Sequence, residues 1–248
     1  MSRRNIRLDT MQQKEIYERF RCLSDKYGRW EVWADFITLS ACSLCASDRA
    51  AREQEYAEIV KRYTADDIKQ FAQMLALTVE ALERNPDQDF LGDLFMRFDL
   101  SNTWKGQFFT PYCVCKTMSA MTIGDLSSQL KTKSWVSVND PACGAGALLI
   151  AFAQECLRQK VNYQKSVLFV AQDIDRTAAL MCFVQLSLLG CPGYVVVGDT
   201  ILHPTVGPSE LLPVKQARQE IWYTPMLYTD IWQWRIAVER IKYLEKLK

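Results

Sequence analysis

Apolar residues fall into two textures along this chain, and the change comes near residue 100. From about residue 8 up to that point the spacing is helical throughout. The clearest case follows Thr64, where Ile68, Phe71, Leu75, Val79 and Leu82 recur at intervals of three and four and so share one helix face. The Thr64 hydroxyl can cap that helix with Asp67 as the acidic third residue, and Asn85-Pro86 ends it. Residues 30–45 are apolar almost all round and predict a buried helix, whereas 48–63 alternate in charge and predict an exposed amphipathic one. Trp30, Trp33, Phe36, Phe90, Phe95 and Phe98 crowd into this half and read as core packing rather than a platform for stacking bases.

Beyond residue 100, short β-rich runs alternate with helical ones. Strands are predicted at 135–139, 167–172 and 194–197, with helices at about 145–159 and 176–189 between them. This βαβαβ order predicts parallel strands joined by right-handed crossovers. Asp175 can cap the second helix and Gly190 can close it. Prolines 204, 208 and 213 make 202–213 irregular, and a Trp-rich cationic helix starts near Thr229-Asp230. The expected fold is α/β, a partial Rossmann-like sheet of about three parallel strands with an N-terminal helical domain. The expected divisions are 1–100 helical, 101–205 for the sheet, and 206–248 for a C-terminal loop and helix that packs on the chain or binds a partner.

Composition narrows the class. No apolar run reaches the roughly 18 residues that span a bilayer, and Met1–Asn5 leads into no hydrophobic signal stretch, so no membrane association and a cytoplasmic location are expected. The nine cysteines are odd in number and irregular in spacing; Cys42, Cys45, Cys156 and Cys182 fall in apolar helical segments and read as reduced, buried hydrophobes. Cys42 and Cys45 form a lone C-x-x-C, and the one histidine, His203, is far off in sequence, so no metal site is expected. Net charge is +1, without the basic excess of a protein that grips duplex DNA alone. Basic residues gather at the two ends (Arg3, Arg4, Arg7; Arg235, Arg240, Lys242, Lys246, Lys248), where solvated helix faces explain them as well as DNA does.

The chemistry is concentrated where the first predicted strand meets its helix, in Asp140-Pro141-Ala142-Cys143-Gly144-Ala145-Gly146. Glycines there let the backbone turn sharply and approach a ligand, and a helix N-terminus offers free N–H groups. In open α/β sheets this crevice at the carboxyl end of a strand is where ligands bind. The dinucleotide fingerprint G-x-G-x-x-G is not met, because Leu149 stands where the third glycine would be. Asp173 ends the second strand, where a carboxylate can hold both ribose hydroxyls. Asp199 follows the third, in Gly198-Asp199-Thr200, where it can accept from an adenine amino group. One acid at a strand end is as readily a helix cap; three in order are harder to dismiss.

Asp-Pro-Ala-Cys-Gly-Ala-Gly resembles the S-adenosylmethionine (AdoMet) motif of DNA N6-adenine methyltransferases, in particular the modification subunits of type I restriction-modification systems. Lys105-Gly106-Gln107-Phe108-Phe109-Thr110-Pro111 is similar to that family's upstream G-Q-x-F-T-P motif, Gln172-Asp173-Ile174-Asp175 to its ribose motif, and Gly198-Asp199-Thr200 to its adenine motif. The resemblance spans about residues 105–200 and implies AdoMet as cofactor and methyl transfer to adenine in DNA. It assigns the methionine end to Phe108, Phe109, Thr110 and Pro111 and to a floor of Asp140, Ala142, Cys143, Gly144 and Gly146. It assigns the ribose to Asp173, and the adenine to Ile174, Asp199 and Thr200.

The same family transfers the methyl group with an Asn/Asp/Ser-Pro-Pro-aromatic tetrapeptide after a fourth strand, whose ring stacks on a flipped base. No Pro-Pro pair occurs in this chain; Tyr223-Thr224-Pro225-Met226 is nearest in look, and no catalytic residue can be named. No convincing fourth strand is legible after Thr200 either. The first strand is therefore expected at an open edge, covered by 222–234 and the C-terminal helix, or by a partner subunit or a second copy. Three functions stay open: an AdoMet-dependent adenine-N6 DNA methyltransferase, a catalytically deficient AdoMet-binding accessory or regulatory module, and a nucleotide-binding Rossmann protein unrelated to methylation.

Overall fold

Thr64 does cap its helix. Its hydroxyl accepts from the Asp67 N–H at 3.2 Å, and the Asp67 carboxylate accepts in return from the Thr64 N–H and O–H. The same carboxylate takes Lys26 Nζ at 2.8 Å and the Tyr27 hydroxyl at 2.7 Å, so the cap also ties two helices together. The computed structural model describes residues 8–100 and 109–247; Arg3, Arg4, Arg7, the segment 105–108 with Phe108, and Lys248 lie outside the described residues.

Among the described residues, five helices make up the N-terminal region: α1 (Met11–Tyr27), α2 (Arg29–Leu44), α3 (Arg49–Val60), α4 (Ala65–Arg84) and α5 (Phe90–Arg97). Gly28, at φ +88°, makes the break between the first two, a conformation glycine adopts at little cost. Helix α2 is buried along most of its length, and α3 buries only Ile59, as the two textures predict. The buried stripe of α4 is rotated from the predicted one. Phe71, Met74, Leu77, Thr78, Ala81 and Leu82 are buried, while Ile68, Leu75 and Val79 are half-buried at its flank. The reason is tertiary: α1, α2 and α5 all pack on α4, and the stripe faces their common centre. Among the aromatic residues read as core, Trp33, Phe36, Phe90, Phe95 and Phe98 are buried, but Trp30 is 40% exposed.

The second half contains α6 (Tyr112–Thr122), α7 (Leu126–Gln129), β1 (Val136–Asp140), α8 (Ala147–Arg158), α9 (Tyr163–Ser166), β2 (Val167–Asp173), α10 (Arg176–Leu188), β3 (Gly193–Val197), β4 (Glu220–Tyr223) and α11 (Asp230–Lys246). The sheet order is β1-β2-β3-β4. The first three strands are parallel, with Val136 opposite Val167 and Phe169 opposite Gly193. β4 is a fourth strand that the sequence did not reveal; it runs antiparallel to β3, with Val195 opposite Trp222. Four residues are too few to show a two-residue period, which is why it was missed.

Alternation along the strands builds two apolar layers. Val167, Phe169 and Ala171 of β2, Val195 and Val197 of β3 and Trp222 of β4 join α8, α10 and the N-terminal helices in one continuous core. Leu168, Val170, Tyr194, Val196 and Ile221 face the other way, onto Trp232 and Ile236 of α11. The C-terminal helix thus covers a face of the sheet, and Trp222 sits in the strand at the edge far from β1. This corrects the expectation that both would cover the first strand. The physical cause is the larger apolar area: the second face of three strands has more to bury than one strand edge. Among the described residues, β1 pairs only with β2.

Trp232 is fully buried and its indole N–H donates to the Gln164 carbonyl at 2.8 Å, whereas Trp234, two residues on, is 71% exposed. Trp232→Ala is expected to cost about 3–5 kcal/mol in urea unfolding and Trp234→Ala less than about 0.5 kcal/mol. Equal losses from the two would contradict the packing described.

Candidate functional site

Between β1 and α8 the chain makes the turn Pro141–Gly146. Gly144 (φ +52°) and Gly146 (φ +96°) both adopt the left-handed region, where side chains are strained. Space is as restrictive as conformation. A Cβ on Gly144 would lie 3.0 Å from the Phe109 ring, and one on Gly146 would lie 2.9 Å from Cys182 Sγ. Glycine is thus required twice, once beneath an aromatic ring and once against a helix.

That helix is α10, and it also grips the turn through a residue the sequence reading passed over. Gln185 is fully buried. Its amide donates to the Ala145 carbonyl at 2.9 Å and to Asp89 Oδ1 at 2.8 Å, and its oxygen accepts from the Leu91 N–H at 3.1 Å. One side chain therefore joins the glycine turn, α10 and the start of α5. A lone amide in the apolar run Ala178–Leu186 was the available signal, since a buried amide must find partners.

Asp173 closes the turn from β2. One carboxylate oxygen accepts from the Gly144 N–H at 2.8 Å and the other from the Asp175 N–H at 2.9 Å. A carboxylate has about four acceptor positions, so capacity for a ligand remains. Burial raises the Asp173 carboxyl above its ordinary value. Burial raises Asp140 too, and the neighbouring Asp173 charge adds to it, although the Ala142 N–H bond opposes the shift. Two carboxylates held above their usual range favour an approaching cation or hydroxyl pair. The Cys143 thiol is pushed well up by its hydrogen bond with Cys182 and by burial, and so stays protonated as a small packing group.

A cavity of about 260 Å³ opens beside the turn, lined by Phe109, Thr110, Asp140, Ala142, Cys143 and Gly144 together with residues of α6 and α8. Six residues named from the sequence are thereby brought together; of the unforeseen lining residues, Met118 is 44% exposed. Pro111 stands at the N-cap of α6, and Thr110 is exposed just before it. The free N–H groups that begin α6 suit a carboxylate.

The other strand ends lie alongside. Ile174 is 70% exposed after Asp173. Asp199 Oδ1 accepts from the Ile201 and Leu202 N–H groups at 2.8 and 3.0 Å, so it caps a turn with one oxygen. The Thr200 hydroxyl donates to the Pro141 carbonyl at 2.6 Å and links the third strand end to the first. Asp175 caps α10 as predicted, accepting from the Ala178 N–H at 3.0 Å. Tyr223-Thr224-Pro225-Met226 is not part of this site. The Thr224 N–H donates to the Gly193 carbonyl, which starts β3, so the tetrapeptide lies at the amino end of the sheet. Among the described residues no group of three or more His, Cys, Asp or Glu could hold a metal ion, and no helix is long and apolar enough to cross a membrane.

The N-6 DNA methylase family model matches residues 87–221, more than half of the chain and the whole of the site just described. The chain belongs to the N-6 DNA methylase family. No curated protein matches it in sequence. A crystal structure of a Listeria monocytogenes protein described as a candidate class I S-adenosylmethionine-dependent methyltransferase is similar at 15% identity and a TM-score of 0.43. The match covers 79% of this chain and 56% of that one, so this N-6 DNA methylase family member spans little more than half of that chain's length.

Two substitutions separate the turn's structural and electrostatic parts. Gly146→Ala is expected to destabilise by about 1–3 kcal/mol, read from urea unfolding, because of its φ and the Cys182 contact. Asp140 behaves differently. Its raised folded value means that the native state binds the proton more tightly than the unfolded chain, so stability is lost as pH rises through that value. Asp140→Asn, which keeps an acceptor for the Ala142 N–H, is therefore expected to raise the melting temperature at pH 7 by roughly 2 °C. A fall in melting temperature would show that the carboxylate stabilises the empty site.

Proposed function

We propose that this chain binds AdoMet at the carboxyl ends of β1–β3 and belongs to an adenine-N6 methylation activity on DNA. The observation that carries the reading is the glycine turn, in which Gly144 lies under the Phe109 ring with its N–H held by Asp173, next to a cavity lined by Asp140. The open space is the cavity beside the turn, and the donor set around it fits the cofactor. The α6 N-terminus after Thr110 and Pro111 would meet the carboxylate, and Asp140 the ammonium and sulfonium charges. Asp173 would hold the ribose hydroxyls, with Ile174 and Asp199 serving the adenine. Bound there, AdoMet would supply a methyl group already activated on a sulfonium. The Asp173 hydrogen bonds to Gly144 and Asp175 keep its carboxylate oriented before any ligand arrives, so little reorganisation is needed.

A second reading, a cofactor-holding module without transfer activity of its own, is favoured by one specific observation. The segment nearest in look to a catalytic tetrapeptide is bonded through Thr224 to Gly193, at the amino end of the sheet, away from the cavity. In this reading a partner subunit or a second copy docks on the open edge of β1 and contributes the groups that polarise the target amine.

Two assays distinguish the readings. AdoMet binding measured by calorimetry is expected to weaken at least tenfold in Asp173→Ala, and unchanged affinity would remove the ribose role. Incubation of the chain with labelled AdoMet and unmethylated DNA then tests transfer. Incorporation into N6-adenine supports the enzyme, and binding without incorporation supports the module.

A further inference from the structure

Gln172 precedes Asp173 in β2, and strand alternation sends its side chain to the opposite side of the sheet. It is 2% exposed. Its amide nitrogen donates to the Gly198 carbonyl at 3.2 Å and the His203 carbonyl at 2.9 Å. Its oxygen accepts from the Thr205 N–H at 3.1 Å and the Thr205 hydroxyl at 2.8 Å. All four partners belong to the loop that leaves β3 and carries Asp199.

Around Asp199 that loop is held by hydrogen bonds and not by packing. Ile201 is 92% exposed and Leu202 72%, so no apolar packing anchors its tip. Its other ties are polar: the Gly198 N–H on the Asp173 carbonyl at 2.9 Å, the Thr200 hydroxyl on Pro141, Gln216 on the Pro204 carbonyl, and Gln219, which donates to the same His203 carbonyl at 2.7 Å. A side chain with no amide at position 172 would strip the Gly198 carbonyl and the Thr205 N–H of their partner and the His203 carbonyl of one of its two donors, a cost met by letting the loop move to water. The position of the Asp199 carboxylate would move with it.

We propose that Gln172 is a positioning residue that holds the Asp199 loop in place to read the adenine amino group. The proposal rests on the AdoMet reading of the site and names its specificity device. Asp199 has one oxygen committed to the Ile201 and Leu202 N–H groups, which leaves the other to accept from a 6-amino group and to repel a 6-oxo group. Discrimination of that kind needs an acceptor held still, because a mobile carboxylate turns to water and loses the contrast between the two bases.

The test measures a ratio. Calorimetry on the full chain compares S-adenosylhomocysteine with the analogue carrying hypoxanthine in place of adenine, and thermal unfolding monitors the fold. The native chain is expected to prefer the adenine form at least tenfold, and Gln172→Met to bring the preference below threefold while still binding both. Thr205→Val, which removes only the hydroxyl partner, is expected to fall between and keeps the test open if Gln172→Met does not fold. An unchanged preference in both variants, or an equal weakening of both ligands, overturns the positioning role. A native chain that binds both forms equally also overturns it and leaves the cofactor site standing. A native chain that binds neither overturns the cofactor reading and this inference with it.

Discussion

One face of α10 fixes the glycine turn. Cys182 and Gln185, a helical turn apart, meet the chain where it leaves β1. Cys182 leaves no room for a side chain on Gly146, and Gln185 holds the Ala145 carbonyl. Because Gln185 also takes the Leu91 N–H and Asp89, the turn is positioned by the N-terminal helices as well as by the sheet. Removing that amide would strand the Ala145 carbonyl and the Leu91 N–H and take one of two donors from Asp89 Oδ1, a larger loss than any single surface contact represents. The helical region therefore serves the site directly, by presenting the start of α5 to α10 and Phe95 to the Phe109 ring at 5.2 Å.

From that fixed turn the rest of the strand ends follow. Asp173 reaches back to Gly144, Thr200 reaches back to Pro141, and Gln172 holds the loop that carries Asp199. Each bond crosses from one strand end to another, so the three acids expected from the sequence are set relative to one another before a ligand enters. The cost is electrostatic: Asp140 and Asp173 are partly desolvated side by side, and both are held above the ordinary carboxylate value. Sites that keep such groups trade stability of the empty state for binding. The opposite edge is built for permanence instead. There Trp222 is fully buried against Phe183 and lies under Arg52 at 3.4 Å, with Arg176 bound to Glu55 and Glu220 beside it.

Legibility in the sequence tracked how local each cause was. The Thr64 capping box, the βαβαβ order and the glycine turn depend on neighbours in the chain, and all three stand where the pattern put them. The Asp175 cap is local as well. What could not be read were tertiary choices. The rotation of the α4 stripe, the antiparallel β4 and the placement of α11 on a sheet face depend on which surfaces compete for cover. Gln185 and Gln172 escaped for a related reason. Their partners lie dozens of residues away, and a lone amide announces a hydrogen bond without saying to what.

The most direct test of the site's location is an amide NMR titration of the chain with AdoMet. The largest shifts are expected at Thr110, Gly144, Ala145, Asp173 and Asp175, with smaller ones along 199–203. Shifts concentrated instead around the cavity between α2 and α3, at Asp35, Glu55 and Arg62, would contradict the assignment of the cofactor to the strand ends.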